Sequence, residues 1–187
     1  MTAVYNQEAL KDLVREFALQ TGEFTLASGA KASYYLDCQQ ITLHPKGANL
    51  IAMGMLKVIG DRINGIAAVG GMAIGADPIT ASIVTLAGQR HLPLRGFMVR
   101  KEAKAHGAGR QVEGPVKPRD KVIIVEDVIT SGGSALRAVD ACRAFGLEVF
   151  GVVAIIDRLA GGEAAFAAKG IKLETLLTIR DFGIEPN

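Results

Sequence analysis

The segment from Val122 to Ser134 constrains the fold more strongly than any other part of this chain. It reads VIIVEDVITSGGS, which is an apolar run, two adjacent acids, two more apolar residues and a turn of small and hydroxyl-bearing residues. An uninterrupted apolar run of this kind predicts a strand that is buried on both faces, as in the centre of a parallel sheet. A helix is predicted to begin near Ala135, so that its N-terminus faces the turn.

The turn after this strand has the composition of a phosphate-binding site. Backbone N–H groups exposed at such a turn, together with the dipole of the following helix, favour an anion. Glu126 and Asp127 precede the turn and need a different partner, such as sugar hydroxyls or a metal ion that accompanies a polyphosphate. The segment therefore predicts a site for a phosphorylated ribose. The predicted contact residues that follow the acids are Val128, Ile129, Thr130, Ser131, Gly132, Gly133 and Ser134.

A strand, two acids and a glycine turn also fit an ordinary strand-to-helix connection, in which Asp127 or Ser131 caps the helix. Two better-known nucleotide motifs do not fit the segment. A Walker loop is excluded because no GxxxxGK[ST] occurs, and a dinucleotide fingerprint is excluded because no GxGxxG follows a strand. An unrelated nucleotide-binding fold of the Rossmann type is accordingly disfavoured.

A second unusual segment runs from Arg100 to Pro118. It is long for a connection in a compact domain, has little apolar periodicity, and contains three glycines and two prolines; such loops are functional lids or disordered segments. A solvated charged loop is the alternative. The segment leaves the end of a predicted strand at Gly96–Val99, the edge where open α/β sheets bind ligands. We therefore predict a flexible catalytic loop at about 100–118 that clamps a pyrophosphate with Arg100, Lys101, Lys104 and His106.

The rest of the chain alternates between predicted strands and helices. This alternation predicts one α/β domain over residues 1–187 with a central, mainly parallel sheet flanked by helices. An amphipathic helix is predicted around Leu10, Leu13, Val14 and Phe17. Phe24–Gly29 is predicted to be strand-like and to end in a turn, and Lys31–Asp37 is predicted to be extended. The other predicted strands are Ile66–Val69, Gly96–Val99, Lys121–Glu126, Val149–Ile156 and Leu173–Ile179, and the other predicted helices are Ala48–Ile59, one from about Asp77, and Ala160–Ala168.

Composition narrows the class of protein. A formal net charge of +2 and a hydrophobic content of 49% argue against a nucleic-acid binder with a broad basic surface. No apolar run reaches the length of a membrane span, and the polar first residues do not form a signal peptide. Cys38 and Cys142 are the only cysteines and form no CxxC pattern, which favours a reducing compartment. We expect a cytoplasmic enzyme without a nucleic-acid or membrane partner.

Four segments together are similar to the orotate phosphoribosyltransferases, a family of type I phosphoribosyltransferases. The turn alone resembles phosphoribosyltransferases in general, whereas the lid together with Asp157-Arg158 points to orotate. The four segments are Phe24–Gly29 with Ser33–Asp37 (the hood), Val69–Pro78 (the pyrophosphate loop), Arg100–Gly107 (the mobile catalytic loop) and Glu126–Ser134 (the ribose-phosphate turn).

This resemblance implies a fold, a reaction and a set of partners. The fold is the type I phosphoribosyltransferase fold, with a small hood from about residues 1–40 and the C-terminal end. The reaction transfers the phosphoribosyl group of 5-phosphoribosyl 1-pyrophosphate (PRPP) to orotate and gives orotidine 5′-monophosphate, in pyrimidine biosynthesis. The resemblance also implies Mg²⁺ carried by PRPP without direct protein ligands, and a homodimer whose catalytic loop is shared between subunits.

The resemblance further implies roles for single residues. Glu126 and Asp127 hold the ribose hydroxyls, and Arg158 meets the orotate carboxylate, although a structural pair of Arg158 with Asp157 is the alternative. Tyr35 packs on the orotate ring, or is a core or interface tyrosine. The residues predicted to act in catalysis are Arg100, Lys104, His106 and Asp127.

The chain also departs from one branch of the family. That branch has a lysine at the position of Ala27, a second lysine near the position of Ile74, and an aspartate at the position of Glu126. Some phosphate contacts of that branch therefore cannot be assigned to this chain. Two alternatives share the turn: a phosphoribosyltransferase for another base, and a non-catalytic module that senses PRPP. The four cationic side chains of the predicted lid favour the enzyme over the sensor.

Overall fold

A computed structural model of the protein describes residues 4–25, 31–102 and 110–186. Its strands and helices alternate along the chain, with short π and 3₁₀ helices between them. In chain order the main elements are α1 (Gln7–Leu13), β1 (Leu19–Thr25), β2 (Lys31–Leu36), α2 (Gln39–Thr42), α3 (Pro45–Ile59), β3 (Ala68–Met72), α4 (Ala76–Gln89), β4 (Arg95–Val99), β5 (Val112–Glu113), β6 (Lys121–Ile129), α5 (Gly133–Phe145), β7 (Glu148–Asp157), α6 (Gly162–Ala167) and β8 (Leu173–Thr178).

Six of these strands form a central sheet in the order β5-β4-β3-β6-β7-β8. All neighbours are parallel except β5, which pairs antiparallel with β4. The predicted fold class, a mainly parallel sheet flanked by helices, is confirmed. The two-residue strand β5 was not predicted, and it lies inside the segment interpreted as a lid.

Strand β6 occupies the middle of the sheet, between β3 and β7. Its residues from Val122 to Val125 are at most 1% exposed, as expected for a strand covered on both faces. Ile123 and Val125 pack into the core beneath α3 and α4, whereas Val122 and Ile124 pack into the core beneath α5. Burial of each such side chain stabilises the fold by roughly 1.5–3 kcal/mol. The strand is longer than predicted and carries both acids to the edge of the sheet.

The glycines of β3 allow it to sit close to its neighbours. A Cβ placed at Gly70 would lie 2.1 Å from the carbonyl oxygen of Phe97, and one placed at Gly71 would lie 2.2 Å from that of Val125. The sequence prediction ended this strand at the glycines, and that boundary was wrong. The glycines are part of the strand because a side chain there would collide with the backbone of β4 or β6.

Two other local predictions need correction. Helix α3 begins at Pro45 rather than at Ala48, because the His44 side chain accepts a hydrogen bond from the Gly47 N–H at 3.4 Å and caps the helix. Phe17 was placed on the apolar face of the first helix, but it is 40% exposed. Its ring stacks on His44 with centroids 5.1 Å apart.

Strands β1 and β2 form a separate antiparallel pair. The first helix is tied to the C-terminal end of the chain: Gln7 Nε2 donates to the Leu176 carbonyl at 2.9 Å, and Lys11 Nζ lies 2.9 Å from Asp181 Oδ1. Most of the segment Phe24–Gly29, including Ala27, lies outside the described residues. Among the described helices, none has the length and apolar character needed to cross a membrane.

Candidate active site

The acid pair lies at the carboxyl end of β6. Glu126 is 4% exposed, and its Oε1 accepts a hydrogen bond from the Asp127 N–H at 3.3 Å. Asp127 Oδ1 accepts from the Val128 N–H at 2.7 Å. The second oxygen of Glu126, Oε2, is buried and has no hydrogen-bond partner among the described residues. A buried polar atom of this kind at a cleft is available to a hydroxyl group of a ligand.

Burial controls the charge of this pair. It raises the pKa of Glu126 from 4.5 to about 8, and the neighbouring charge of Asp127 acts in the same direction. Hydrogen bonding from Ser134 works against the rise. At neutral pH Glu126 is therefore mostly protonated.

The turn that follows β6 encloses a cavity of about 270 Å³. Gly132 has φ of 79°, which favours glycine, and α5 begins at the next residue. The ring of Phe166 supports the turn from below, because a Cβ at Gly132 would lie 3.0 Å from it. The cavity is lined by Glu126, Val128, Ile129, Thr130, Ser131, Gly132, Gly133, Ser134, Ala135 and Arg137. The structure thus brings the predicted phosphate residues together around one concave space at a helix N-terminus.

Arg137 is a member of this cavity that the sequence prediction missed. It lies one turn into α5 and is exposed. Its Nη1 atom is 3.9 Å from the position a Cβ would take at Gly133. The spacing of four residues from Gly133 was the available signal, because side chains four apart share one face of a helix. Arg137 adds a cation to an already anion-favouring turn.

Strand β7 places Arg158 beside the turn. Ile129 and Asp157 are partners in the parallel ladder, and the Arg158 N–H donates to the Ile129 carbonyl at 2.9 Å. The Arg158 side chain turns to β2, where its Nε donates to Tyr34 Oη at 2.7 Å. Asp157 instead accepts from the Leu159 N–H at 2.8 Å. The structure therefore does not pair Arg158 with Asp157.

Tyr34 and Tyr35 lie on opposite sides of β2. Tyr34 is 7% exposed and contacts Arg158, whereas Tyr35 is 47% exposed and packs against Phe24 with ring centroids 6.0 Å apart. Successive side chains of a strand face opposite ways, so only one of the two tyrosines can contact Arg158. The sequence prediction selected Tyr35, and its contact with a ligand ring stays a prediction. Tyr34 was missed because the register of β2 is not visible in the sequence.

The loop after β3 also reaches the acid pair. A Cβ placed at Gly75 would lie 3.5 Å from both carboxylate oxygens of Asp127. Ile74, next to it, is 73% exposed. The segment Val69–Pro78, which resembles a pyrophosphate loop, is therefore adjacent to the predicted ribose site.

Two of the four predicted lid cations lie in the described part of the chain. Arg100 and Lys101 follow β4 and are exposed. The Arg100 guanidinium lies 3.3 Å from Glu113 Oε1 on β5, and Gln111 Nε2 donates to the Lys101 carbonyl at 3.4 Å. Lys104 and His106 lie outside the described residues. Arg100 thus has an acidic partner in this structure.

A larger groove of about 540 Å³ lies between α4 and strands β4 and β5. Its lining is mostly apolar, with Val84, Phe97 and Met98 among its residues. It has neither a phosphate turn nor the acid pair, so size alone does not make it the site. In the described ranges no cluster of three or more His, Cys, Asp or Glu side chains is arranged to hold a metal ion.

Comparisons with known proteins identify the family of the chain. Residues 80–178 match the model of the phosphoribosyl transferase domain. The chain is 69% identical over 178 residues to the orotate phosphoribosyltransferase of Rhodopirellula baltica, covering 93% of this chain and 92% of that protein. Two crystal structures of Mycobacterium tuberculosis orotate phosphoribosyltransferase are similar to this structure. Each match covers 95% of this chain and 99% of the Mycobacterium tuberculosis chain. The complex with Fe(III) dicitrate has a TM-score of 0.83 at 38% identity, and the complex with 5-phospho-α-D-ribosyl 1-diphosphate has 0.80 at 33%.

Proposed function

The chain belongs to the family of the orotate phosphoribosyltransferases, and from that premise we propose how its site carries out the reaction. It transfers the phosphoribosyl group of PRPP to orotate in pyrimidine biosynthesis, giving orotidine 5′-monophosphate and pyrophosphate. One observation carries the assignment of the site. The phosphate turn ends β6, and Arg158 ends the adjacent strand β7, with a backbone hydrogen bond of 2.9 Å from Arg158 N–H to Ile129 joining them.

The phosphate end of PRPP fits the cavity at the turn. The backbone N–H groups and hydroxyls of residues 130–134 bind the 5′-phosphate, and the dipole of the 13-residue helix α5 favours its charge. Arg137, at the rim of the cavity, adds a second positive contribution. The two acids before the turn then meet the ribose. Glu126 Oε2, which lacks a partner in the described ranges, and the carboxylate of Asp127 hydrogen-bond the 2′- and 3′-hydroxyls.

The chemical step exchanges one bond at C1 of the ribose for another. The C1–O bond to pyrophosphate breaks and its electron pair leaves with the pyrophosphate oxygen. N1 of orotate forms the new bond to C1 and gives up its proton, which the departing pyrophosphate accepts. The ribose resembles an oxocarbenium ion as this happens, as in glycoside cleavage. The negative charge of Asp127 favours the developing positive charge on the sugar. No covalent nucleophile is needed.

The departing pyrophosphate acquires charge that the lid offsets. Arg100, Lys101, Lys104 and His106 supply this stabilisation when the segment 100–118 closes, and His106 is a candidate proton donor because imidazole titrates near neutrality. Preorganised charge of this kind is worth roughly 10²–10³ in rate for each donor. Closure also excludes water that would hydrolyse the activated ribose.

Mg²⁺ is the metal that this family implies, and the residues present fit it. The site offers carboxylate oxygens, the ligands that Mg²⁺ accepts, but no protein cage within the described residues. We therefore propose that the ion is held mainly by the pyrophosphate and ribose oxygens of PRPP and by water. When bound, it offsets negative charge on the leaving group.

The orotate end of the site is formed by Arg158. Its planar guanidinium can form two parallel hydrogen bonds to the orotate carboxylate. Tyr35 is proposed to pack on the ring of the base, which requires an orientation of β2 different from the one described, in which Tyr34 faces Arg158. The carboxylate is the group that distinguishes orotate from uracil, so Arg158 is proposed to select orotate over uracil by binding that carboxylate.

We also propose that the enzyme is a cytoplasmic homodimer in which the lid of one subunit completes the site of the other. The free thiols of Cys38 and Cys142 support a reducing compartment. Mixing a Lys104→Ala protein with an Asp127→Ala protein tests the sharing, since half of the sites in each mixed dimer are then intact. Absence of recovered activity after demonstrated subunit exchange would rule out a shared lid.

The function itself is tested by following orotate absorbance after addition of PRPP and Mg²⁺ to the purified chain. Adenine, guanine, hypoxanthine and uracil are assayed in parallel. Conversion of orotate alone, abolished by a chelator, is the expected result. Conversion of another base would refute the role of Arg158, and tight PRPP binding without turnover of any base would make the protein a PRPP sensor.

A further inference from the structure

A contact between the hood and the sheet fixes the orientation of Arg158. Its Nε donates to Tyr34 Oη at 2.7 Å, and its guanidinium carbon lies 4.7 Å from the centroid of the Tyr34 ring. Tyr34 is 7% exposed and sits within the paired part of β2, opposite Thr21 of β1. The phenol is therefore a fixed acceptor rather than a mobile surface group.

This contact determines which donors of Arg158 remain for a ligand. A guanidinium can bind a carboxylate through Nε and one Nη, or through its two Nη groups. The hydrogen bond to Tyr34 occupies Nε and so leaves the pair of Nη groups. The phenol accepts this hydrogen bond as a neutral group, so it does not offset the positive charge of Arg158.

The contact with Tyr34 also restricts the rotamers of the Arg158 side chain, which the backbone of Arg158 does not fix. The backbone of Arg158 is held by its hydrogen bond to Ile129 at 2.9 Å, but a free arginine side chain samples many rotamers. Ordering such a side chain costs conformational entropy. Orientation before the substrate arrives reduces that cost at the moment of binding.

We propose that Tyr34 is a positioning and specificity-determining residue, which holds Arg158 so that its two Nη groups face the carboxylate of orotate. This inference rests on the proposed function, because it assumes that Arg158 meets that carboxylate. A base without a carboxylate gains nothing from the oriented guanidinium. Tyr34 therefore contributes to the discrimination of orotate from uracil without contacting either base.

The test is the substitution Tyr34→Phe, which removes the hydroxyl and keeps the ring. The KM for orotate should rise about tenfold, as expected for a lost hydrogen bond to a charged group. The ratio of kcat/KM for orotate over uracil should fall by a similar factor, whereas the KM for PRPP should stay unchanged. Tyr5→Phe is the matched control, because the Tyr5 hydroxyl is buried without a hydrogen-bond partner in the described part of the chain, and its removal should alter none of these values.

A double-mutant cycle separates positioning from a structural role. In an Arg158→Ala background, Tyr34→Phe should cause no further loss of orotate binding, because the group that it positions is gone. An unchanged orotate KM in Tyr34→Phe, an equal rise in the KM for PRPP, or the same loss with and without Arg158 would overturn the inference while orotate turnover by the wild type still stands. A wild-type chain that does not convert orotate would overturn the proposed function and this inference together.

Discussion

The raised pKa of Glu126 makes the stability of the fold depend on pH over a defined range. Below pH 4.5 the carboxyl is protonated in both folded and unfolded chains, so that it causes no difference. Between 4.5 and about 8 the unfolded chain loses the proton and the folded chain keeps it, so the free energy of unfolding falls as pH rises. One pKa unit corresponds to about 1.4 kcal/mol, so the full loss is of the order of 5 kcal/mol above pH 8.

Glu126→Gln removes this titration while keeping a neutral side chain of similar size. We expect the free energy of unfolding of wild type, relative to this variant, to decrease by about 1 kcal/mol per pH unit within that window. Urea unfolding at about pH 5, 6, 7 and 8 measures it. Glu148→Gln makes the same change at an exposed position and should show no such slope. A difference between wild type and Glu126→Gln that stays constant with pH would refute the reasoning that burial holds Glu126 protonated.

Three further predictions concern packing, the base and the lid. Gly71→Ala should lower the free energy of unfolding by about 3 kcal/mol, because the added Cβ would lie 2.2 Å from the Val125 carbonyl oxygen. Gly88→Ala places its Cβ in open space among the described residues, and it should raise the free energy of unfolding by up to about 1 kcal/mol. Urea denaturation of the two variants and the wild type measures both changes. Arg158→Ala should raise the KM for orotate at least about tenfold and leave PRPP affinity unchanged in titration calorimetry, whereas equal loss of both would indicate a structural arginine. Lys104→Ala should reduce kcat by roughly 10²–10³ with little change in PRPP binding, and an effect confined to KM would contradict its role in the transition state.

The sequence predicted the central strand and the turn because both follow from local chemistry. The run Val122–Val125 has no polar residue, which is typical of a strand covered on both faces, and it is buried in the structure. The turn was recognisable from glycines and hydroxyls in succession. Its boundary with α5 was placed at Ala135 rather than at Gly133, because the φ of 79° at Gly132 that starts the helix is not encoded in any periodicity.

The parts of the site that were missed depend on contacts between distant segments. The choice between Tyr34 and Tyr35 requires the register of β2 against β1 and the direction of Arg158, 124 residues away. The protonation of Glu126 requires the burial of β6 beneath other elements. Strand β5, with two residues, is too short to show an alternation, and its pairing with β4 becomes visible only in the fold.

The backbone hydrogen bond between Arg158 and Ile129 has an evolutionary consequence. In the site as proposed, it makes the span between the sugar-phosphate end and the base end a property of two neighbouring strands, whose separation the sheet fixes at about 4.8 Å. Selection for a different nucleobase can therefore act on the side chain at position 158 and on its support in the hood, while the machinery that activates the ribose stays intact. Because base binding and ribose activation lie on different strands, base preference can change in evolution while the reaction stays the same.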